Sequence, residues 1–391
     1  MVLYMHKCPT AACFLKENQA NMSKLDLFTS DPNWTAFAEK HGYLKSAPSP
    51  SPSLPVTLDI PSDRAEQAID EAKWSQDHPL SSVGYESLLS TIAVRDGTAI
   101  SVKLSFPTSS RLAKTKTKTN SNSNSKLPIL FVTHGGGWVQ GTHVTEEAWL
   151  LWPLYSQFDM LIVSVEYRMA PEHPFPAWMD DSWDILDKLL SEPATFLSHF
   201  HLSSGSGSES SSHSPRGGAH PGVDIDIDTG KVILLGSSAG AGTAAYFSQT
   251  CRDKSIPGIY GVILNVPLLC HYRHLPANCQ SSYEQVTSSL LSAGDMRAEW
   301  DVVIPSLTAG KNPKASPLLG DVKGLPRHLV FVAGQDPLRD EGLKYAQNLD
   351  KAGVEVKLYT YRVCRISLRS SGNWMRRRGF GKTSEADSKH G

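Results

Sequence analysis

The segment KVILLGSSAGAG places a serine, Ser238, at the centre of a G-x-S-x-G pattern. An apolar run typical of a buried strand precedes the pattern, and a stretch of small residues suited to a helix follows it. A serine on such a tight turn can attack a carbonyl carbon, and glycines at 236 and 240 leave room for the close packing around it. A glycine-rich turn with a spare serine would give the same letters without the chemistry. The flanking strand and helix favour the nucleophile.

A second motif, HGGGW at His134–Trp138, directly follows the apolar run LPILFVT. Three consecutive glycines let backbone N–H groups approach a ligand closely, as an oxyanion hole requires. We predict that Gly135, Gly136 and the N–H of Ala239 bind the negative oxygen that forms when a serine attacks an ester carbonyl. His134 is interpreted as a structural residue that shapes the loop.

A regular alternation of strands and helices must position these motifs. Eight runs have strand character: TIAVRD, AISVKLSF, LPILFVT, MLIVSVEY, KVILLG, YGVILNV, RHLVFVAG and VEVKLYTY. The first two flank Asp96-Gly97, a hairpin signal, whereas the later ones are near-continuous apolar runs, as in parallel sheets that are buried on both faces. Helical patterns lie between strands, at Glu146–Phe158, Ala177–Leu190, Ala239–Cys251 and Leu338–Lys351. The alternation predicts an α/β fold with an eight-stranded, mostly parallel sheet flanked by helices.

Composition excludes several classes of protein. The chain has 391 residues, is 40% hydrophobic and carries a formal net charge of −1, so nothing favours nucleic-acid binding. No run approaches the roughly 18 apolar residues of a spanning helix, and the N-terminus lacks the basic region of a signal peptide. The six cysteines have no zinc spacing. We expect reduced thiols and a cytoplasmic location, and the oligomeric state stays open.

Polar, low-complexity stretches interrupt the pattern. One stretch begins at Ser46, and two others cover about 109–126 and 203–222. Their Ser, Asn, Lys, Gly and Pro residues bury too little apolar surface to offset the entropy of ordering, so we predict disordered loops.

Further motifs make the sequence similar to a known family. Beside HGGGW and GSSAG, the chain contains VEYRMAPEHPFPAWMDD, SPLLG and GQDPLRDEG. Over about Gly97 to Tyr361 it resembles the hormone-sensitive-lipase-like branch of the α/β-hydrolases, which includes carboxylesterases and arylacetamide deacetylase. One departure is Ser237, where the family usually has aspartate.

The resemblance implies a Ser-His-Asp triad and a helical cap. Asp336, in the loop after RHLVFVAG, is the implied acid, and Asp340 is the competing carboxylate. The edge where the carboxyl ends of buried strands lie is also where α/β sites form, which agrees with Asp336. The family's cap would come from N-terminal helices and an insert at about 270–311. Trp34, Phe37 and Trp300 are candidate cap aromatics, although each is more typical of plain core.

The histidine that completes the triad is missing. The family carries it in an H-G-F segment after the last strand, here VEVKLYTY, but YTYRVCRISL occupies that place and only His390 follows Asp336. Without an imidazole, no group accepts the serine's proton or returns it to the leaving alcohol. The tail 362–391 departs from the family pattern. We interpret it as the translation of a retained intron that begins near Val363-Cys364.

The sequence thus predicts a serine carboxylester hydrolase for small or medium apolar esters, with no metal or cofactor and with activity of this exact chain in doubt. The alternative is a non-catalytic small-molecule-binding protein, because plant gibberellin receptors resemble the same family and lack the histidine. Those receptors keep a family-like C-terminus, which favours the enzyme here. The predicted segments are a cap region at 1–90, an α/β-hydrolase core at 91–361 and the departing tail.

Overall fold

An eight-stranded sheet forms the centre of the described structure. The computed structural model describes residues 58–113, 126–202, 225–285, 292–304 and 306–361. The strands are β1 (Tyr85–Ala93), β2 (Ala99–Pro107), β3 (Leu127–Thr133), β4 (Leu161–Glu166), β5 (Ile227–Ser237), β6 (Ile259–Asn265), β7 (Arg327–Ala333) and β8 (Val356–Tyr361). Their order is β1-β2-β4-β3-β5-β6-β7-β8. β2 pairs antiparallel with β1 and β4, and the remaining pairs are parallel. The predicted mostly parallel sheet is confirmed.

The first strand starts earlier than predicted. It was placed at 91–96 and the core at 91, whereas β1 begins at Tyr85 and ends at Ala93. β1 is an edge strand with one face in solvent, where Leu89 is 68% exposed. The polar residues on that face obscured the apolar pattern by which the strand was predicted. The hairpin turn is as predicted: Gly97 has φ +84°, and the Thr98 N–H donates to Asp96 Oδ1 at 3.0 Å.

Helices cover the sheet and form the segments around its carboxyl edge. They are α1 (Ile60–Asp77), α2 (His143–Glu146), α3 (Trp152–Gln157), α4 (Ala177–Ser191), α5 (Pro193–Ser198), α6 (Ala239–Asp253), α7 (Ser281–Gln285), α8 (Ala293–Val303), α9 (Leu307–Gly310) and α10 (Arg339–Lys351). A π-helical turn at Glu147–Leu151 joins α2 to α3, so the helix predicted there is interrupted. Of the described helices, none is long and apolar enough to cross a membrane.

Two apolar clusters lie on opposite faces of the sheet. The larger one joins the sheet to α4, α6 and α10, and includes Val163, Leu234, Leu264, Val330, Leu186, Phe247 and Tyr345. The smaller one joins the other face to the helical segment 143–157, and includes Leu130, Val132, Ile162, Leu235, Leu151 and Tyr155. Successive strand residues point to opposite faces, so near-continuous apolar strands supply both clusters.

The smaller cluster does not extend over the whole of its face. Ile233, Ile263, Leu329, Phe331 and Tyr359 follow on that face towards β8, and all five are half-buried. The Phe331 ring stacks on Tyr359 with centroids 5.5 Å apart. The prediction that the tail covers the sheet poorly falls on residues 362–391, outside the described residues.

One predicted loop is partly ordered. Residues 109–113 were assigned to a disordered stretch but are helical. The reason is Arg111, whose Nε donates to Asp159 Oδ1 at 2.5 Å and whose guanidinium also donates to the Val83 carbonyl at 2.7 Å. The other low-complexity predictions, at Ser46 and 203–222, lie outside the described residues, as do Trp34 and Phe37.

Candidate active site

The turn between β5 and α6 carries Ser238. Its backbone has φ 53° and ψ −118°, a conformation that costs a non-glycine residue of the order of 1–3 kcal/mol and that clusters at functional sites. A side chain at Gly236 would place its Cβ 2.2 Å from the carbonyl carbon of Gly240, and one at Gly240 would lie 2.0 Å from the Thr133 oxygen. The predicted need for both glycines is confirmed.

Ser238 is held through its backbone. Its N–H donates to the Asn265 carbonyl at 2.9 Å, and its carbonyl accepts from Leu268 N–H at 3.0 Å. These bonds tie the turn to the end of β6. The side chain is 2% exposed, and no hydrogen bond joins its hydroxyl to another described residue. Within the described structure, the Ser238 backbone therefore has a fixed position, and its hydroxyl has no hydrogen-bonding base beside it.

The glycine loop after β3 differs from the prediction at one position. The N–H of Gly135, predicted as an oxyanion donor, donates instead to Glu146 Oε1 at 3.0 Å. Gly136 and Gly137 have φ values of +115° and +62°, and their N–H groups donate to no described residue. The same is true of Ala239 N–H, because the first residues of a helix have no acceptor within it. Gly136, Gly137 and Ala239, unlike Gly135, therefore have N–H groups that donate to no described residue, and the role of any of them as oxyanion donors stays a prediction.

Glu146 connects the glycine loop to the nucleophile turn. Its Oε2 accepts from Ser237 Oγ at 2.8 Å, and Ser237 Oγ in turn accepts from Asn265 Nδ2 at 2.9 Å. Complete burial raises the pKa of Glu146 from its ordinary value of 4.5 to about 7, although the bonds from Ser237 and Gly135 oppose the rise. Sequence reasoning missed this residue, because its partners are distant in the chain.

His134 has the structural surroundings that the sequence predicted. Its ring stacks on Tyr167 with centroids 4.1 Å apart, and the Tyr167 hydroxyl donates to its carbonyl at 2.6 Å. Burial lowers the pKa of His134 to about 4. The imidazole is therefore neutral at neutral pH, and it packs as part of the loop.

The two candidate acids have different surroundings. Asp336 lies just beyond the carboxyl end of β7, is buried, and accepts from Leu338 N–H at 2.8 Å through Oδ1. Both oxygens of Asp340 serve local structure: Oδ2 accepts from Ser282 N–H at 3.0 Å, and Oδ1 accepts from Arg339 Nε at 3.0 Å. These contacts make Asp340 an anchor for α7 and favour Asp336 as the acid.

Cap elements contact the glycine loop from two sides. From α1, Arg64 Nε donates to the Val139 carbonyl at 2.7 Å, and its guanidinium pairs with Glu172 at 2.9 Å. From α8, Trp300 packs on Trp138 with centroids 5.0 Å apart. Trp300 is fully buried, so it belongs to the cap's core and does not line an open pocket.

Comparison with known proteins gives the family. The sequence profile described as "alpha/beta hydrolase fold" matches residues 130–365, which is more than half of the chain. The chain belongs to the α/β-hydrolases, in their hormone-sensitive-lipase-like branch. The match ends at residue 365.

Individual relatives agree with this assignment. Esterase LipI of Mycobacterium tuberculosis is 29% identical over 232 residues, 59% of this chain and 62% of LipI. Carboxylesterase NlhH of the same organism is 30% identical over 240 residues, 59% of this chain and 63% of NlhH. This chain thus spans less than two thirds of these curated relatives. A hyperthermophilic esterase from Pyrobaculum calidifontis shares the fold at 22% identity, with a TM-score of 0.62 over 85% of this chain and 88% of that chain.

Proposed function

We propose that this chain carries the machinery of a serine carboxylester hydrolase for small or medium apolar esters. The observation that carries the proposal is the strained Ser238, held between two indispensable glycines next to a loop in which the N–H groups of Gly136 and Gly137 donate to no described residue. The names of the relatives LipI and NlhH support ester hydrolysis as the reaction. We also propose the division into a cap region, a core that starts at β1, and the tail.

The reaction would proceed in two acyl transfers. Ser238 Oγ attacks the ester carbonyl carbon, and the carbonyl oxygen becomes negative between the N–H groups of Gly136, Gly137 and Ala239. The bond to the alcohol then breaks, the alcohol leaves with the serine's proton, and water releases the acid by the reverse proton transfers. Asp336 would orient the histidine that carries these protons. No step requires a metal or cofactor.

The absent histidine sets the expected activity of the chain as it stands. Removing the base of such a triad costs about 10⁶ in kcat, or about 8 kcal/mol of barrier. His390 lies near the end of the 362–391 segment, and useful catalysis needs ångström-level positioning. We therefore expect this chain to keep at most the residual acceleration of about 10³- to 10⁴-fold over water that an oxyanion hole and substrate binding supply without a base.

The missing base also favours a second candidate, a non-catalytic protein that binds a small apolar ligand. A binding protein of this fold would keep the cap and lose a triad member. We favour the hydrolase because all of the sequence after residue 365 lies outside the family match, whereas a binding protein would need to differ only at the histidine.

A cytoplasmic location is proposed from the cysteines. Cys251 and Cys270 are buried and form no disulfide with another described residue, and burial raises the pKa of Cys251 to about 12, which keeps its thiol protonated. Titration of thiols in denaturant, after purification without reductant, should find them reduced. Cross-linked cysteines would contradict this location.

Restoring the base tests the function. A chimera that carries a family H-G-F segment and closing helix after Tyr361 should hydrolyse p-nitrophenyl butyrate about 10⁴ to 10⁶ times faster than the native chain. Ser238→Ala in the chimera should abolish the gain. A folded but inactive chimera, together with micromolar binding of an apolar ligand by the native chain, would overturn the hydrolase in favour of the binding protein.

A further inference from the structure

Glu146 lies between the glycine loop after β3 and the turn that carries Ser238, and the proposed reaction requires these two segments to keep a fixed distance. Oε1 accepts from the N–H of Gly135, the residue before the first proposed oxyanion donor. Oε2 accepts from the hydroxyl of Ser237, the residue before the nucleophile. One side chain, 0% exposed, therefore fixes the distance between the glycine loop and the nucleophile turn.

The surroundings make this bridge specific. A buried carboxylate needs hydrogen bonds to both oxygens, and here the two bonds come from the two segments. A second side-chain hydrogen bond, from Thr133 Oγ1 to the Gly240 carbonyl at 2.9 Å, holds the end of β3 and not the glycines that follow. Glu146 therefore acts on the loop itself.

We propose that Glu146 is a positioning residue for the oxyanion loop, and that its carboxylate excludes a second acid at position 237. The role in an oxyanion loop rests on the proposed function, but the tests below measure folding and hydrogen exchange and do not depend on activity. The pairing also gives a reason for serine at 237, where the resemblance to the family would imply aspartate.

Hydrogen-bond directions explain the exclusion. Ser237 Oγ donates its proton to Glu146 and accepts from Asn265 Nδ2 at 2.9 Å. Above about pH 7, where Glu146 is ionised, an ionised aspartate at 237 would have no hydrogen for it, and two carboxylates would face each other without solvent. An asparagine has nearly the same size but can donate its amide hydrogen to Glu146.

A cycle of four full-length variants separates the effect of a negative charge at position 237 from the effect of a larger side chain there. Ser237→Asp and Ser237→Asn are each made with Glu146 and with Glu146→Gln, and the folding equilibrium constant is measured by urea denaturation above about pH 8, where Glu146 is ionised. With Glu146 present, Ser237→Asp should fold about 100-fold less favourably than Ser237→Asn. With Glu146→Gln, the gap should shrink at least tenfold, because glutamine can donate to the new carboxylate.

Each outcome of the cycle decides the question. If Ser237→Asp folds only together with Glu146→Gln, the coupling is supported. An equal gap in both backgrounds overturns it, as does failure of both double variants to fold. Failure of every variant at 237 would mean that volume alone restricts the position, and this also overturns the exclusion.

Hydrogen exchange tests the positioning directly. Glu146→Ala removes the acceptor of Gly135 N–H, so the peptide 134–139 should exchange at least about tenfold faster, relative to the amides of β3. Glu146→Gln keeps a carbonyl acceptor and should retain the protection. Unchanged protection in Glu146→Ala, or equal loss in both variants, would overturn the role. Because no substrate is used, a failed hydrolase proposal cannot be mistaken for failure here.

Discussion

The buried carboxyl of Glu146 should make stability depend on pH. An acid whose pKa is raised by folding keeps its proton in the folded state while the unfolded chain has lost it. Stability is therefore highest below the unfolded pKa and falls as the pH rises through the folded one. Here that window runs from about 4.5 to about 7.

The size of the effect follows from the rise in pKa. A change from 4.5 to about 7 corresponds to about 3 kcal/mol of the free energy of unfolding, at about 1.4 kcal/mol per pH unit. Glu146→Gln has no proton to lose, so the wild type should lose up to about 3 kcal/mol more than the variant between pH 4 and pH 8. Buried histidines such as His134 also titrate, but they titrate equally in both proteins and cancel in the difference.

Urea denaturation of both proteins at half-unit steps of pH measures this difference. The two curves of unfolding free energy against pH should diverge between about 4.5 and 7 and run parallel above that range. Parallel curves throughout would refute the reasoning, since they would mean that Glu146 ionises in the folded protein at its ordinary pKa.

Three further predictions concern packing. Arg64→Ala should speed hydrogen exchange across α1, because it removes the hydrogen bonding of α1 to the glycine loop. Lys73→Ala, on the exposed side of α1, is the control and should leave the exchange rate unchanged. Gly240→Ala should lower the free energy of unfolding, measured by urea denaturation, by at least about 3 kcal/mol, because its Cβ would lie 2.0 Å from a backbone oxygen. Gly230→Ala is the control: the nearest atom to its Cβ lies at 3.2 Å, so it should cost under about 1 kcal/mol. Equal costs would contradict the packing argument. The half-buried face around Phe331 should favour aggregation, so expression should give little soluble protein, and a soluble monomer with cooperative melting would contradict this.

Much of the fold could be predicted because its signals are local. Near-continuous apolar runs gave the six later strands, and Asp96-Gly97 gave the hairpin between the first two. The early start of β1 was missed because an edge strand with one wet face, as in YESLLSTIA, carries polar residues. The break in the helix at Glu147–Leu151 was missed for a different reason, since π-helical turns leave no clear local pattern.

The site was predictable in its residue types and less so in its contacts. GSSAG and HGGGW identified the strained turn and the glycine loop. Gly135 N–H donates to the side chain of Glu146, which α2 places against the loop, so Gly135 differs from the two glycines that follow it. A contact between residues 11 positions apart, across an irregular loop, has no periodic signature in the sequence.

Covalent capture of Ser238 is the most direct test of the central claim. A fluorophosphonate should label the histidine-restored chimera quickly, and peptide mass spectrometry should place the adduct on Ser238, because attack at phosphorus needs the same nucleophile, base and oxyanion donors as attack on an ester. The native chain should react slower by about 10⁴-fold or more. A folded chimera that takes no label, or takes it at another residue, would contradict the account.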